Sequence, residues 1–301
     1  MTERFRLVAF HAHPDDESSK GAATMAKYVA AGHEVLVVTC TGGERGDIIN
    51  PAMDKPGVLD NMAAIRKKEM AQAVAALGVK HQWLGFVDSG LPNEMLTPGH
   101  SIDAEVVRHI VPPGSFAQLA DDDVADAFIK VMRDFRPHVV VTYDENGGYP
   151  HPDHLMVHRA SMQAWDKAGA ADYKPELGRP WQASKLYYSH GFVYQRMELF
   201  HKELTAAGLA SPYGPMMTRW KVNAGDIMAR VTTQVECSEF FPQRDAALRA
   251  HATQIDPAGA FLATPVVTQA RLWPTEEFEL AQTRVSTALP ENDLFSGLSD
   301  R

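Results

Sequence analysis

The sequence has few cysteines, no long apolar run and no basic excess, and each shortage excludes a class of protein. Only two cysteines occur in 301 residues, Cys40 and Cys237, without C-x-x-C spacing. A disulfide framework is therefore not expected, which indicates the reducing cytoplasm. The net charge of −9 provides no basic face for phosphates, so nucleic acid is not an expected partner. No apolar segment is long enough to span a bilayer or to form a signal peptide, which argues against a membrane partner.

The first half of the chain alternates between strand and helix patterns. Short β-rich segments with apolar centres predict strands over residues 5–11, 33–40, 82–86 and 138–143. Apolar residues at helical spacing predict helices over residues 18–31, 59–77 and 124–135. Strands with continuous apolar centres suit parallel pairing, because both of their faces are covered. The pattern therefore predicts an α/β fold with a doubly wound, mostly parallel, Rossmann-like sheet.

Three segments that mix Pro, Gly and polar residues predict loops or lids, over residues 91–121, 171–182 and 210–226. Loops of this length in a compact domain often bind ligands. Within the last of them, Met216, Met217 and Trp220 could shape a pocket for an acyl group, although ordinary packing is the simpler explanation.

Two short His-Pro-Asp segments follow the first and fourth predicted strands, namely His13-Pro14-Asp15-Asp16 and His151-Pro152-Asp153-His154. Ligands of open α/β sheets bind beyond the carboxyl ends of the strands, so adjacent first and fourth strands would bring both motifs to one crevice. One such turn alone is often structural, and Asp16 stands where a helix N-cap would be. Two of them, each directly after a buried strand, favour a metal site.

Neutral imidazole and carboxylate are the usual ligands of a catalytic zinc. The expected ligands of one ion per chain are His13, Asp16 and His154. Asp15 then remains uncoordinated and suits the role of general base for an attacking water. His151 and Tyr149 remain to stabilise the oxygen that becomes negative when water attacks a carbonyl. Because two histidines and a carboxylate also suit Fe(II), zinc is the expected ion and ferrous iron the alternative.

Other polar residues near the motifs have simpler expected roles. We expect Asp153 to orient His151 by accepting its ring N–H. His11 ends a buried strand and should be a hydrogen-bonded core residue. His158 follows His154 by four residues, but a fourth protein ligand would close the metal to water, so we place it outside the ligand set. His251 lies in a predicted helix without an evident role.

The segments Ala12–Glu17 and His151–His154 resemble the LmbE-like superfamily, also called the PIG-L family, of metal-dependent deacetylases and amidases acting on N-acyl glucosamine derivatives. The resemblance continues through residues 41–47, 85–90, 143–149, 244–254 and 272–278. It implies one catalytic domain over residues 1–301. In that domain, residues 1–170 form the Rossmann-like core and residues 171–301 an elaboration that closes the site.

The resemblance implies the same metal ligands and general base, and it adds substrate-binding residues. Arg66 and Asp88 match residues that grip a glucosaminyl-inositol group. Lys20 matches a position linked to amidase substrates. For Lys20 and Arg66, a solvated helix face is the alternative explanation.

The resemblance also implies a reaction, namely hydrolysis of the amide that joins an acylated cysteine to glucosaminyl-inositol in a small-molecule thiol conjugate. This reaction would detoxify electrophiles. A deacetylase acting on N-acetylglucosaminyl-inositol would share every catalytic residue and is the alternative. An alternative of another class is a non-catalytic, metal-dependent sugar-binding module, but such a module has no need for an uncoordinated Asp15. The sequence leaves the oligomeric state open.

Overall fold

The computed structural model describes residues 4–91, 109–220 and 226–299, with only the backbone described for Arg219 and Trp220. Its strands are β1 (Arg6–His11), β2 (Glu34–Thr41), β3 (Lys80–Phe86), β4 (Val139–Thr142), β5 (Lys185–His190), β6 (Thr233–Glu236) and β7 (Thr275–Thr283). They form one sheet in the order β3-β2-β1-β4-β5-β7-β6. Strands β1 to β5 pair in parallel, whereas β7 runs antiparallel to both β5 and β6. The predicted mostly parallel α/β sheet is confirmed, and β1 and β4 are neighbours.

The helices are α1 (Asp16–Ser19), α2 (Ala22–Ala30), α3 (Met62–Leu77), α4 (Asp121–Phe135), α5 (Pro152–Lys167), α6 (Tyr194–Ala206), α7 (Tyr213–Trp220), α8 (Phe241–Ala250) and α9 (Val266–Leu272). Two expectations were wrong. The helix predicted over residues 18–31 is interrupted at Gly21, whose φ of +83° cannot continue a right-handed helix. The loop predicted over residues 210–226 contains α7. Met216 and Met217 pack on the apolar cluster around Phe200, as the simpler explanation expected.

Helices cover both faces of the sheet, and the alternation of side chains along β1 shows how. Val8 and Phe10 face a cluster that includes Phe128 of α4, whose ring stacks on Phe10 at 4.1 Å between centroids. Leu7 and Ala9 point to the opposite face, into a second cluster with residues of α2 and α3. Burial on both faces explains why the central strands read as continuous apolar runs.

Two findings concern the disulfide-rich and membrane-spanning classes of protein that the composition argued against. Cys40 and Cys237 are both free and buried, which agrees with the absence of a disulfide framework. Among the helices of residues 4–91, 109–220 and 226–299, none combines the length and the apolar character needed to cross a bilayer.

The carboxyl-terminal segment is tied to the sheet by a buried ion pair between Lys185 of β5 and Glu291, both with fully buried side chains. Glu291 also accepts hydrogen bonds from Tyr187 and Thr233. Glu291→Gln should lower the free energy of unfolding by about 3–5 kcal/mol, because it leaves a buried ammonium without its carboxylate. Denaturant unfolding measures this change.

The control is Glu34→Gln, since the Lys80 side chain with which Glu34 pairs is 61% exposed. Exposed pairs contribute at most about 1 kcal/mol. Equal losses in the two variants would show that the Lys185–Glu291 pair has no special weight.

Candidate active site

The two motifs meet at the carboxyl edge of β1 and β4, where the Asp16 carboxylate lies between two imidazoles. Asp16 Oδ2 is 3.6 Å from His13 Nδ1 and 3.4 Å from His154 Nε2. Ligand atoms at zinc distances of a tetrahedral ion are separated by about 3.3–3.4 Å. All three side chains are buried. The spacing on both sides of Asp16 therefore suits a shared cation.

The hydrogen bonds of the two imidazoles leave one nitrogen of each available to a metal. His154 Nδ1 donates to the carbonyl of Gly147 at 2.8 Å, and its Nε2 is buried without a hydrogen-bond partner. His13 Nε2 lies 3.1 Å from Asp153 Oδ2, which leaves Nδ1 facing Asp16. Metal-binding histidines are oriented in this way by a hydrogen bond from the second nitrogen. The residues present therefore fit a metal ion.

His13 also belongs to two sets of buried side chains whose potential ligand atoms lie within 4.8 Å of one another. One set adds His151 and His154, and the other adds Asp88 and Asp153. In the first, His151 Nδ1 is already engaged, since it accepts the backbone N–H of Asp153 at 3.2 Å. In the second, the carboxylates face His13 Nε2 at hydrogen-bond or ion-pair distance. Among the described residues, His13, Asp16 and His154 do not form a third set of this kind, and Asp16 Oδ2 already accepts hydrogen bonds from Tyr143 and from the N–H of His13. The ligand set of His13, Asp16 and His154 therefore stays a prediction.

Asp15 lies beside this group in a strained conformation, with φ +129°. Such a backbone costs about 1–3 kcal/mol in a non-glycine residue, so its surroundings must hold it. Glu17 Oε2 accepts the Asp15 N–H at 2.9 Å, and Arg66 Nη2 donates to Asp15 Oδ2 at 3.0 Å. Burial raises the pKa of Asp15 and the Arg66 charge opposes this shift only in part.

The N-cap position of α1 is occupied by Asp15 and not by Asp16. The N-cap alternative for Asp16 is therefore wrong.

His151 and Tyr149 both present groups able to donate a hydrogen bond. Because His151 Nδ1 accepts a hydrogen bond, the neutral ring carries its proton on Nε2. Burial and the neighbouring His13 lower the pKa of His151, which keeps the ring neutral. The Tyr149 ring is 4.7 Å from that of His154 between centroids, and burial raises the pKa of its hydroxyl. The expectation for Asp153 was wrong: its carboxylate contacts His13 and not His151.

Lys20, Arg66 and Asp88 surround the same group and are all buried. Lys20 Nζ donates to Asp16 Oδ1 at 2.6 Å. Arg66 donates to the carbonyl of Gly43 at 2.9 Å as well as to Asp15. Asp88 accepts the backbone N–H of Arg45 at 2.9 Å. Neither Lys20 nor Arg66 lies on a solvated helix face, while the substrate-binding roles of all three stay predictions.

Tyr143 is a member of the site that the sequence reading did not single out. Its hydroxyl donates to Asp16 Oδ2 at 2.7 Å and accepts the N–H of Ala12 at 2.9 Å. Its ring stacks on His154 at 4.3 Å between centroids. The position of Tyr143 directly after β4 is the signal in the sequence that could have identified it.

Gly147 is needed for the hydrogen bond that orients His154. A Cβ at Gly147, where φ is +69°, would lie 2.8 Å from the His154 Cβ, so only glycine lets the carbonyl reach His154.

Two nearby histidines lie outside the ligand group. His11 is buried, and neither of its ring nitrogens has a hydrogen-bond partner among the described residues, so the expected hydrogen bond was wrong. Burial lowers the pKa of His11 to about 4, which keeps the ring neutral. His158 Nδ1 lies 3.1 Å from the carbonyl of Tyr143, in agreement with a role outside the metal ligands.

His251 connects the carboxyl-terminal half of the chain to the general-base candidate. Its Nε2 lies 2.7 Å from Glu17 Oε1, and both side chains are fully buried. Burial alone would raise the pKa of Glu17, but the charge and hydrogen bond of His251 outweigh it and lower the pKa to about 2. Since Glu17 also accepts the Asp15 N–H, His251 supports the strained backbone of Asp15 through one carboxylate.

We expect His251→Ala to lower kcat about tenfold with little change in KM, because Asp15 loses its support while substrate contacts remain. His251→Gln should restore most of the activity, since its amide can donate to Glu17. Kinetics together with metal content per chain make the test. His201→Ala is the control, because His201 contacts Ser211 far from the motifs. An alanine variant with parental kcat would contradict this role.

Comparisons with known proteins identify a family and full-length relatives of this chain. The family described as "PIG-L: GlcNAc-PI de-N-acetylase" matches residues 8–165. Mycothiol S-conjugate amidase from Streptomyces coelicolor is 49% identical over 304 residues, covering 100% of this chain and 99% of that protein. The 1D-myo-inositol 2-acetamido-2-deoxy-alpha-D-glucopyranoside deacetylase from Streptomyces scabiei is 36% identical over 303 residues, covering 97% of this chain and 90% of that protein.

The fold is also found among solved structures. N,N'-diacetylchitobiose deacetylase from Pyrococcus horikoshii superposes with a TM-score of 0.59 at 16% identity, covering 92% of this chain and 84% of that one. The family and the full-length relatives define the class of the protein, a hydrolase that acts on amide bonds. The chain belongs to the PIG-L family.

Proposed function

We propose that this protein is a mycothiol S-conjugate amidase. It would cleave the amide between cysteine and glucosamine and release glucosaminyl-inositol and a mercapturic acid, which removes the electrophile. The observation that carries the proposal is the 49% identity to the Streptomyces coelicolor amidase over the whole chain. Identity to the Streptomyces scabiei deacetylase, over a similar length, is lower at 36%. The higher identity to the amidase supports the amidase over the deacetylase alternative.

His13, Asp16 and His154 are proposed to hold one metal ion per chain, with zinc as the ion and ferrous iron as the alternative. The buried, unpartnered Nε2 of His154 supports this ligand set. When bound, the ion supplies a Lewis acid that polarises the amide carbonyl and lowers the pKa of water. Metal analysis of protein purified without added zinc and without air tests the choice, and a predominance of iron would reverse it.

The side chains around the ion have distinct proposed roles. Asp15 accepts the proton of the attacking water, for which its raised pKa suits it. His151 and Tyr149 donate hydrogen bonds to the carbonyl oxygen as that oxygen becomes negative. A protonated group then returns the proton to the leaving glucosamine nitrogen. The remaining substrate-binding residues are proposed to be Lys20, Arg66 and Asp88.

We further propose that residues 1–301 act as one catalytic domain in the cytoplasm, with residues 171–301 closing the site of residues 1–170. The contact between His251 and Glu17 supports this closure. Cell fractionation tests the location, and recovery of activity in a membrane or secreted fraction would contradict it.

The deciding experiment compares hydrolysis rates on a bimane-type mycothiol conjugate and on N-acetylglucosaminyl-inositol, with and without a chelator. We expect faster hydrolysis of the conjugate and loss of both activities with the chelator. Faster deacetylation would establish the alternative enzyme. No hydrolysis of either substrate at full metal occupancy would establish a binding module.

A further inference from the structure

A cavity of about 70 Å³ lies beside α1. Its walls come from Ser18 and Ser19 of α1, from the end of β5 and the residues that follow it, from α6 to α9 and from the start of β7. One water needs roughly 15 Å³, so the space suits a group of a few heavy atoms. None of the proposed metal ligands or catalytic residues lines it.

Six aromatic side chains contribute to the walls of this cavity, namely Phe192, Phe200, Tyr213, Phe241, Phe261 and Trp273. The charged groups of the walls already have partners, since the Glu276 carboxylate accepts the backbone N–H groups of Ala23 and Thr24. The Glu277 carboxylate accepts hydrogen bonds from Trp273 Nε1 at 2.6 Å and from Arg196 Nη1 at 3.0 Å. Arg244 donates to Asp245 at 2.7 Å and lies 4.0 Å above the Phe241 ring. The cavity therefore offers apolar surface beside charged groups that already have hydrogen-bond partners, which suits an uncharged apolar group.

The order of strands relates this cavity to the two halves of an amide substrate. The metal group lies at the ends of β1 and β4, in the middle of the sheet. Arg66 and Asp88, the proposed sugar contacts, come from α3 and from the segment after β3, on one side of that centre. The cavity lies at the end of β5 and the start of β7, on the other side. The carbonyl and nitrogen substituents of an amide extend in different directions, so a sugar bound toward β3 directs the acyl half toward β5.

We propose that this cavity binds the substituent on the sulfur of the conjugate and favours uncharged aromatic or alkyl groups. The inference rests on the proposed function and specifies its substrate class. It also gives a role to the segment Leu272–Phe278, which the metal site does not use. Trp273, Thr275 and Glu277 of that segment line the cavity, and the Glu277 carboxylate accepts hydrogen bonds from Trp273 Nε1 and Thr275 Oγ1.

The test narrows the cavity with Ala260→Phe and measures kcat/KM for S-benzyl and S-methyl mycothiol conjugates. Ala260 lines the cavity from a turn, so a larger side chain there occupies the space. We expect the ratio of kcat/KM for S-benzyl over S-methyl to fall about tenfold or more. The matched control is Ala258→Phe, which makes the same change at an exposed position two residues earlier and should keep the parental ratio.

The outcomes separate this inference from the proposed function. A parent enzyme that hydrolyses neither conjugate overturns the proposed function itself. A parent that hydrolyses both, with an Ala260→Phe ratio that does not change, overturns only the cavity assignment. If thermal unfolding shows that Ala260→Phe does not fold, Phe192→Ala replaces it. Removing that wall residue should lower the same ratio several-fold, and an unchanged ratio again overturns the assignment.

Discussion

Replacing Asp15 by asparagine should lower kcat for amide hydrolysis by about 10²–10⁴-fold while one metal ion stays bound per chain. Asparagine keeps the size of the side chain and an oxygen that can accept from Arg66, but it cannot take a proton from water. The expected ligands His13, Asp16 and His154 are untouched. Steady-state kinetics on the conjugate, with metal analysis of the same preparation, measure both quantities.

The pH dependence gives a second readout of the same residue. A general base works only when deprotonated, so parental activity should fall as the pH drops through the pKa of Asp15. Burial raises that pKa above its ordinary value of 3.8, which moves the acidic limb of the profile to higher pH. The limb should be absent in the residual activity of Asp15→Asn. The exposed substitution Asp54→Asn should leave rate and profile unchanged. Near-normal turnover of Asp15→Asn would show that another group is the base.

The sequence was sufficient for the first four strands of the sheet and for the meeting of the two motifs, because both follow from local patterns, whereas β5, β6 and the antiparallel β7 were not predicted. The apolar centres of β1, β2 and β4 reflect burial on two faces. A general rule of open α/β sheets then places the segments after β1 and β4 at one edge. The boundaries of one helix were not predicted from the spacing, because Gly21 interrupts a segment whose apolar residues have helical spacing throughout.

The partners of individual atoms could not be predicted, because they depend on residues far apart in the chain. His13 and Asp153 are separated by 140 positions, and Glu17 and His251 by 234. A motif indicates that an imidazole is present, but a hydrogen bond from elsewhere decides which nitrogen faces the metal. The burial of Arg66 could not be predicted for the same reason, because its hydrogen-bond partners Asp15 and Gly43 lie in the loops after β1 and β2.

Replacing His154 by alanine should remove the metal and reduce hydrolysis by about 10³-fold or more, since a Lewis acid contributes several kcal/mol to the transition state. Alanine also removes the Nδ1 hydrogen bond to Gly147 and the stacking on Tyr143, so metal content and thermal unfolding are measured on the same preparation, and a folded, metal-free variant identifies loss of metal as the cause. The matched control is His158→Ala, one turn later on α5, where the ring contacts the carbonyl of Tyr143. That variant should keep its metal.

His151→Ala distinguishes the two histidines of the second motif. Its ring nitrogens lie close enough to those of His13 and His154 to be considered for the metal, but its Nδ1 accepts the N–H of Asp153. We therefore expect His151→Ala to keep the metal and lose turnover, whereas His154→Ala loses both. Metal content measured by mass spectrometry on His151→Ala, His154→Ala and His158→Ala decides which histidine of the second motif binds the metal. A metal-free His151→Ala, or a fully loaded His154→Ala, would require the ligand set to be redrawn around His151.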